Sequence, residues 1–201
     1  TLRLHVVASL DEAIEYYVET APDDTTQIPY YTHLWDSAQA LAEVMASQPE
    51  RWPGRRVLEL GCGLGLPSLV AARLGAEVTA TDFHPHNGPF LIANARENGL
   101  EPRIRYERLD WRRPHLSGSF DVVLGSDLIY EGEMVTPFVT CATRYCAPGG
   151  SLWFADPGRQ HLQRACTALE QAGFTAALEV RGEVYVVLFT RASSPAPPPQ
   201  T

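Results

Sequence analysis

Arg56-Val57-Leu58-Glu59-Leu60-Gly61-Cys62-Gly63-Leu64-Gly65-Leu66-Pro67 runs from a short apolar strand through a glycine-rich turn into a helix start. Glycine lets a chain turn tightly and lets a ligand lie against bare backbone. Proline suits the first turn of a helix, where its missing N–H is no loss. The spacing is G-x-G-x-G with Leu66 next, so the dinucleotide fingerprint G-x-G-x-x-G is not matched in its usual form. No lysine follows, which removes a P-loop. A glycine loop with no phosphate grip points to a nucleoside ligand without a pyrophosphate.

Working outward, strand and helix signals alternate. A helix begins near Trp35 with Asp36 or Ser37 as its cap, and Ala38, Leu41, Ala42 and Met45 form one apolar face. After the strand Arg56–Leu60, a helix runs from about Pro67 to a stop at Gly75. The second strand is Glu77–Thr81, followed by a helix over 87–98 that Gly99 ends. Further strands are expected at Arg103–Tyr106, Phe120–Leu124 and Leu152–Ala155. Helical faces are expected at Met134, Phe138, Cys141, Ala142, Tyr145 and at Leu162, Ala165, Cys166, Leu169; Ala147-Pro148-Gly149-Gly150 closes the first of these. Phe174–Val180 and Val184–Thr190 flank Arg181-Gly182-Glu183 and read as a hairpin, which adds one antiparallel strand at an edge. This alternation implies a mainly parallel α/β sheet covered on both faces. Residues 1–33 are an acidic, partly aromatic extension, 34–190 the domain, and 191–201, with Pro195, Pro197, Pro198 and Pro199, a disordered tail.

Composition narrows the function. The chain has 201 residues with 16 basic and 24 acidic side chains, a formal charge of -8, and every basic residue is Arg. That balance argues against a nucleic-acid partner, which would call for a basic face. No stretch approaches the ~18 apolar residues of a membrane span. The cysteines, Cys62, Cys141, Cys146 and Cys166, show no C-x-x-C spacing and read as free thiols, so the expectation is a reducing, cytoplasmic setting; a monomer is expected. His84-Pro85-His86 has no third ligand at metal-binding spacing and is read as a loop, with no metal.

Open α/β sheets bind ligands beyond the carboxyl ends of their strands. Asp82 closes the second strand about twenty residues past the first glycine, placed to accept ribose hydroxyls. Asp110-Trp111 offers an acceptor for an exocyclic amine and a plane for a purine, against the reading of a surface Asp beside a core Trp. After the fourth strand comes Ser126-Asp127-Leu128-Ile129-Tyr130.

Together these segments resemble class I S-adenosylmethionine methyltransferases. Leu34-Trp35-Asp36-Ser37-Ala38, the glycine loop, Thr81-Asp82, Asp110-Trp111 and the D-x-x-Y of Asp127–Tyr130 resemble the seven-strand protein-lysine methyltransferases that include the chaperone and valosin-containing-protein enzymes. The resemblance implies a Rossmann-like fold, a seven-strand sheet ending in an antiparallel hairpin, and a lysine-bearing protein substrate. It implies S-adenosylmethionine as cofactor and S-adenosylhomocysteine as product. Cofactor contacts carry over to Trp35, Glu59, Gly61, Cys62, Gly63, Gly65, Asp82, Phe83, Asp110, Trp111 and Ser126, and catalytic roles to Asp127 and Tyr130. Asp156-Pro157-Gly158-Arg159 resembles a segment of the electron-transfer-flavoprotein β-subunit lysine methyltransferases, although Asp156-Pro157 reads first as a helix-starting turn.

Methyl transfer needs a lone pair, and a lysine ammonium has none. Neutralising it at pH 7 from a pKa near 10.4 costs about 4–5 kcal/mol. A sulfonium ~4 Å away offsets about 4 kcal/mol of that at an effective dielectric near 20. Asp127 stabilises the ammonium, so its expected role is to capture and orient the amine rather than act as a strong base. Tyr130 offers a hydroxyl or a ring face to the cation, and the proton leaves to water. The competing reading makes Asp127 a helix cap and Tyr130 a core residue. A methyltransferase for a small-molecule amine or secondary metabolite is the alternative function, and a non-catalytic cofactor-binding protein a more distant one.

Overall fold

A computed structural model describes residues 1–20 and 28–193. Its centre is a seven-stranded sheet of β1 (Arg56–Leu60), β2 (Glu77–Asp82), β3 (Ile104–Arg108), β4 (Phe120–Ser126), β5 (Cys146–Asp156), β6 (Phe174–Arg181) and β7 (Val184–Arg191), in the order β3-β2-β1-β4-β5-β7-β6. Helices α1 (Leu10–Thr20), α2 (Asp36–Ala46), α3 (Leu66–Arg73), α4 (Asn87–Glu97), α5 (Val135–Tyr145) and α6 (Leu162–Gln171) accompany it.

β1 is buried from Val57 to Leu60, as a parallel strand covered on both faces must be. Its side chains alternate between two cores. Val57 joins Val78, Val122 and Trp153 under Leu41, Met45 and Leu69 on one side. Leu58 and Leu60 join Phe138, Phe154 and Phe189 on the other. Trp52 and Trp153 meet edge to face at 5.0 Å, and the Trp52 indole N–H donates to the Met45 carbonyl at 3.1 Å, so a fully buried ring keeps its donor satisfied.

Three features differ from the sequence-based expectation beyond shifts of one or two residues at strand ends. Asp36 is the first residue of α2, not its cap; Trp35 holds the cap position in extended geometry and no side chain caps the helix. Ala147–Gly150 belongs to the irregular first half of β5, because pairing with β4 jumps from Phe120–Cys146 to Val122–Ser151. The antiparallel strand is not at the edge: β7 inserts between β5 and β6, and β6 takes the edge. The apolar run Val184–Phe189 gains most from two neighbours, whereas β6 is exposed over Thr175–Leu178.

The start of the N-terminal extension, at Arg3 and His5, is bonded to the domain. Asn94 of α4 and Asn98 at its C-terminal cap act as side-chain ladders for it. Arg3 N–H donates to Asn98 Oδ1 at 2.9 Å and His5 N–H to Asn94 Oδ1 at 2.6 Å, while Asn98 Nδ2 returns a bond to the Arg3 carbonyl at 2.7 Å. Residues 194–201, where most of the expected disordered tail falls, lie outside the described residues, as do 21–27. Among the described residues no helix is long and apolar enough to cross a membrane.

Candidate active site

The carboxyl ends of β1, β2 and β4 open into a cleft of about 530 Å³. Its floor is the turn from Gly61 to Gly65. Gly61 has φ +62°, and a Cβ there would overlap the Leu128 side chain; Gly65 has φ +81°, and a Cβ there would overlap Leu91. Only glycine meets both demands, so the floor is bare backbone. The loop is fastened from outside: Cys62 N–H donates to the Thr81 carbonyl at 2.8 Å, and Asn87 Nδ2 donates to the Gly63 carbonyl at 2.7 Å.

Asp82 stands at the end of β2. It accepts the Gly63 N–H and the His84 N–H, each at 3.0 Å, one on each carboxylate oxygen. Each oxygen keeps lone-pair capacity for a further donor. Burial pushes its carboxyl above the usual range, and those two N–H groups pull it partly back. Phe83, Leu109, Asp110 and Trp111 line the cleft beside it. Asp110 Oδ1 accepts the Arg112 N–H at 2.9 Å, and Trp111 packs edge-on to Phe138 at 5.8 Å.

At the other end, Ser126 and Asp127 line the cleft where β4 stops. Among the described residues Asp127 is the one non-glycine residue with positive φ, +60°. Its N–H donates to the Ala155 carbonyl at 3.0 Å, which pins the twist. Asp127 Oδ1 forms an ion pair with Arg159 Nη2 but receives no well-directed hydrogen bond. The next helical turn, Gly132–Met134, has Glu131 at its cap position, so Asp127 caps nothing. Tyr130 is 53% exposed at the mouth, 6.0 Å from Tyr30 ring to ring, and is not a core residue.

Trp35, Gly61, Cys62, Gly63, Gly65, Asp82, Phe83, Asp110, Trp111, Ser126, Asp127 and Tyr130 therefore surround one cleft. Glu59 does not join them. It is fully buried on the far side of the loop, where Oε2 accepts the Ser68 N–H at 2.9 Å and the Ser68 hydroxyl, so it ties β1 to α3. Burial raises its carboxyl to about 8. The sequence named no residue of the outer wall: Ile28, Tyr30, Tyr31 and His33 line the same cleft, and Trp35 donates its indole N–H to the Tyr30 carbonyl at 3.1 Å. The aromatic run just before Trp35 was the available signal. Nor did the sequence name Arg112, Glu131, Glu133 and Met134 at the mouth, or link Arg159 of the Asp156–Arg159 segment to Asp127.

A family model described as lysine methyltransferase matches residues 21–165. The chain is 38% identical over 106 residues to protein N-lysine methyltransferase METTL21A of Danio rerio, covering 50% of this chain and 48% of the relative. It is 31% identical over 134 residues to EEF1A lysine methyltransferase 3 of Mus musculus, covering 63% and 55%. The chain thus spans about half the length of these curated relatives. Its fold matches the solved structure of magnesium protoporphyrin IX methyltransferase from Synechocystis PCC 6803 with bound SAM, at a TM-score of 0.66 and 17% identity, over 94% of this chain and 100% of that one.

Proposed function

Since this chain belongs to the lysine methyltransferase family, we propose that it transfers a methyl group from S-adenosylmethionine to a lysine side chain of a protein. The observation that carries the reading is one cleft with a bare-backbone floor, an aspartate at the ribose end and a second aspartate, held in a strained turn, at the other. The residues fit the cofactor: a side chain on Gly61 would fill the floor, and Asp82 keeps acceptor capacity after binding two backbone N–H groups. Gly61–Gly65 and Asp82 would hold its sugar and tail, Asp110 its exocyclic amine, and Phe83 and Trp111 its base. When bound, S-adenosylmethionine supplies an electrophilic methyl group on a sulfonium.

The chain's own residues do the rest by placement. Asp127 and Ser126 orient the acceptor amine at the end of β4, and Tyr130 with Tyr30 forms an aromatic mouth that suits a cationic alkyl chain. Glu131 and Glu133 at the same mouth attract a basic segment of a protein partner. The proton leaves through the open mouth to water. Residues 34–190 form the catalytic unit, with 28–33 as its outer wall, and the setting proposed is a reducing cytoplasm in which the free thiols persist.

The test uses the protein with methyl-labelled S-adenosylmethionine and a lysate lacking this activity, then mass spectrometry of the labelled species. Label in lysine of a protein band supports the reading. Label confined to small molecules favours an amine methyltransferase on the same fold, and calorimetry without heat for S-adenosylhomocysteine removes the cofactor assignment altogether.

A further inference from the structure

Arg159 lies beyond the cleft lining, yet it reaches the carboxylate on which the acceptor end depends. Asp156, fully buried at the end of β5, builds the turn that delivers it. Asp156 Oδ1 accepts the Gly158 N–H at 2.8 Å and the Arg159 N–H at 2.7 Å, which fixes the backbone of residue 159. Asp156 Oδ2 then meets Arg159 Nη1 at 3.4 Å, holding the same guanidinium from behind. The other nitrogen, Nη2, pairs with Asp127 Oδ1. The Tyr185 ring closes over Gly158: a Cβ on that glycine would come within 2.8 Å of it. The Arg159 side chain is 28% exposed and that of Asp127 7%, so water screens this pair poorly.

Guanidinium does not lose its proton in a protein. Asp127 therefore faces a cation that keeps its charge, with Oδ1 engaged and Oδ2 left for the N–H of a methyl acceptor. Other titratable or charged groups stand around it. After β4 are Tyr130, Glu131 and Glu133; after β3, Asp110 and Arg112; after β2, Asp82 and His84. The outer wall adds Tyr30, Tyr31 and His33, and His161 sits beside Gly132. Arg112 is turned toward Glu133, at 3.7 Å. Among the described residues Arg159 is the cation ion-paired with Asp127.

We propose that Arg159 sets the charge at the acceptor end: pinned by Asp156, it neutralises Asp127 so that the acceptor amine is oriented without being trapped as a cation. The proposal rests on the reading of the cleft as a lysine methyl-transfer site and adds a positioning residue to it. A bare carboxylate would stabilise the bound ammonium and oppose its deprotonation. Paired with Arg159, the same carboxylate still directs an N–H but favours the charged form far less.

The test compares n-butylammonium, a stand-in for the lysine tip, with its neutral isostere butan-1-ol on the S-adenosylhomocysteine-loaded protein at pH 7, by NMR titration. Arg159→Gln is expected to raise the butylammonium-to-butanol affinity ratio about tenfold, while Arg159→Lys, which keeps the charge, leaves it near the wild-type value. A purely structural role would change both ligands together and leave the ratio alone. An unchanged ratio in Arg159→Gln overturns the proposal. If that variant fails to bind S-adenosylhomocysteine, Arg159→Met, which keeps much of the side chain's length without its charge, decides: a raised ratio supports the proposal and an unchanged ratio overturns it. With the labelled acceptor, Arg159→Gln is further expected to lower KM, lower kcat at pH 7 and move the acid limb of kcat to higher pH. The two readings fail separately: label outside lysine sinks the acceptor assignment and leaves the ratio standing, whereas lysine labelling with an unchanged ratio sinks Arg159 alone.

Discussion

Replacing Asp127 by glycine in one variant and by alanine in another isolates the strain at φ +60°. Both changes delete the carboxylate, the ion pair with Arg159 and any contact with an acceptor. They differ in what the backbone asks of residue 127. A left-handed conformation costs a residue with Cβ about 1–2 kcal/mol and glycine almost nothing. Against that, glycine gives the unfolded chain about 0.4–1 kcal/mol more conformational freedom to lose. Taking the middle of each range, Asp127→Gly should be more stable than Asp127→Ala by about 0.8 kcal/mol. For a domain near 200 residues that corresponds to about 2–3 °C in Tm. Thermal unfolding followed by circular dichroism measures the difference, and calorimetry with S-adenosylhomocysteine shows that the cleft survives in both. Neither variant should transfer methyl groups. An alanine variant as stable as the glycine one would refute the claim that the fold holds residue 127 under strain, and turnover in either would refute its placement at the reacting end.

Gly65→Ala forces a Cβ into Leu91 at φ +81° and is expected to weaken S-adenosylhomocysteine binding at least tenfold by calorimetry; unaltered affinity would show that the loop has slack. Glu59 carries a carboxyl raised to about 8 by burial, so the folded protein keeps a proton that the unfolded chain releases above about 4.5. Wild-type stability should therefore fall, relative to Glu59→Gln, as pH rises from about 4.5 to about 8; parallel urea midpoints across that window would contradict it. Asn98→Ala removes the bonds to the Arg3 N–H and carbonyl, and hydrogen exchange should show a loss of protection at Arg3 with global Tm lowered by no more than about 3 °C. Persistent protection of that amide would mean that other contacts hold the segment.

Much of this architecture is local and could be read locally. Arg56–Leu60 needed only an apolar run stopped by a glycine, and its bounds agree with β1 residue for residue. Gly75, Gly99 and Gly173 each follow a helix with positive φ, which is the reason glycine ends helices there. The cleft residues were legible because strand ends in this topology converge on one side of the sheet. What escaped was set by distant pairing. Nothing near residues 174–191 says which strand of the hairpin joins β5, since that depends on which one the existing sheet can bury. Glu59 neighbours the glycine loop in sequence, but strand alternation turns its side chain toward Ser68. Arg159 is 32 residues from Asp127, and no spacing rule links an arginine in one turn to an acid in another. The outer wall from Ile28 to His33 was assigned to an extension because its contact with Gly63, where a Cβ would lie 3.4 Å from the Tyr31 carbonyl oxygen, spans two separate elements.

The reversed strand β7 has a consequence for how such a molecule can diversify. Its antiparallel entry brings Tyr185 opposite Asp156, so the Arg181–Glu183 bend emerges on the same rim as the cleft mouth. In the sheet that bend is linked to β1 through β4, β5 and β7, and the glycine loop and Asp82, proposed to hold the nucleoside, stand at the ends of β1 and β2. On the proposed function, residues inserted or exchanged in the bend would retune which partner is accepted while the cosubstrate half stays untouched, a modularity that comes from strand order rather than from a separate domain.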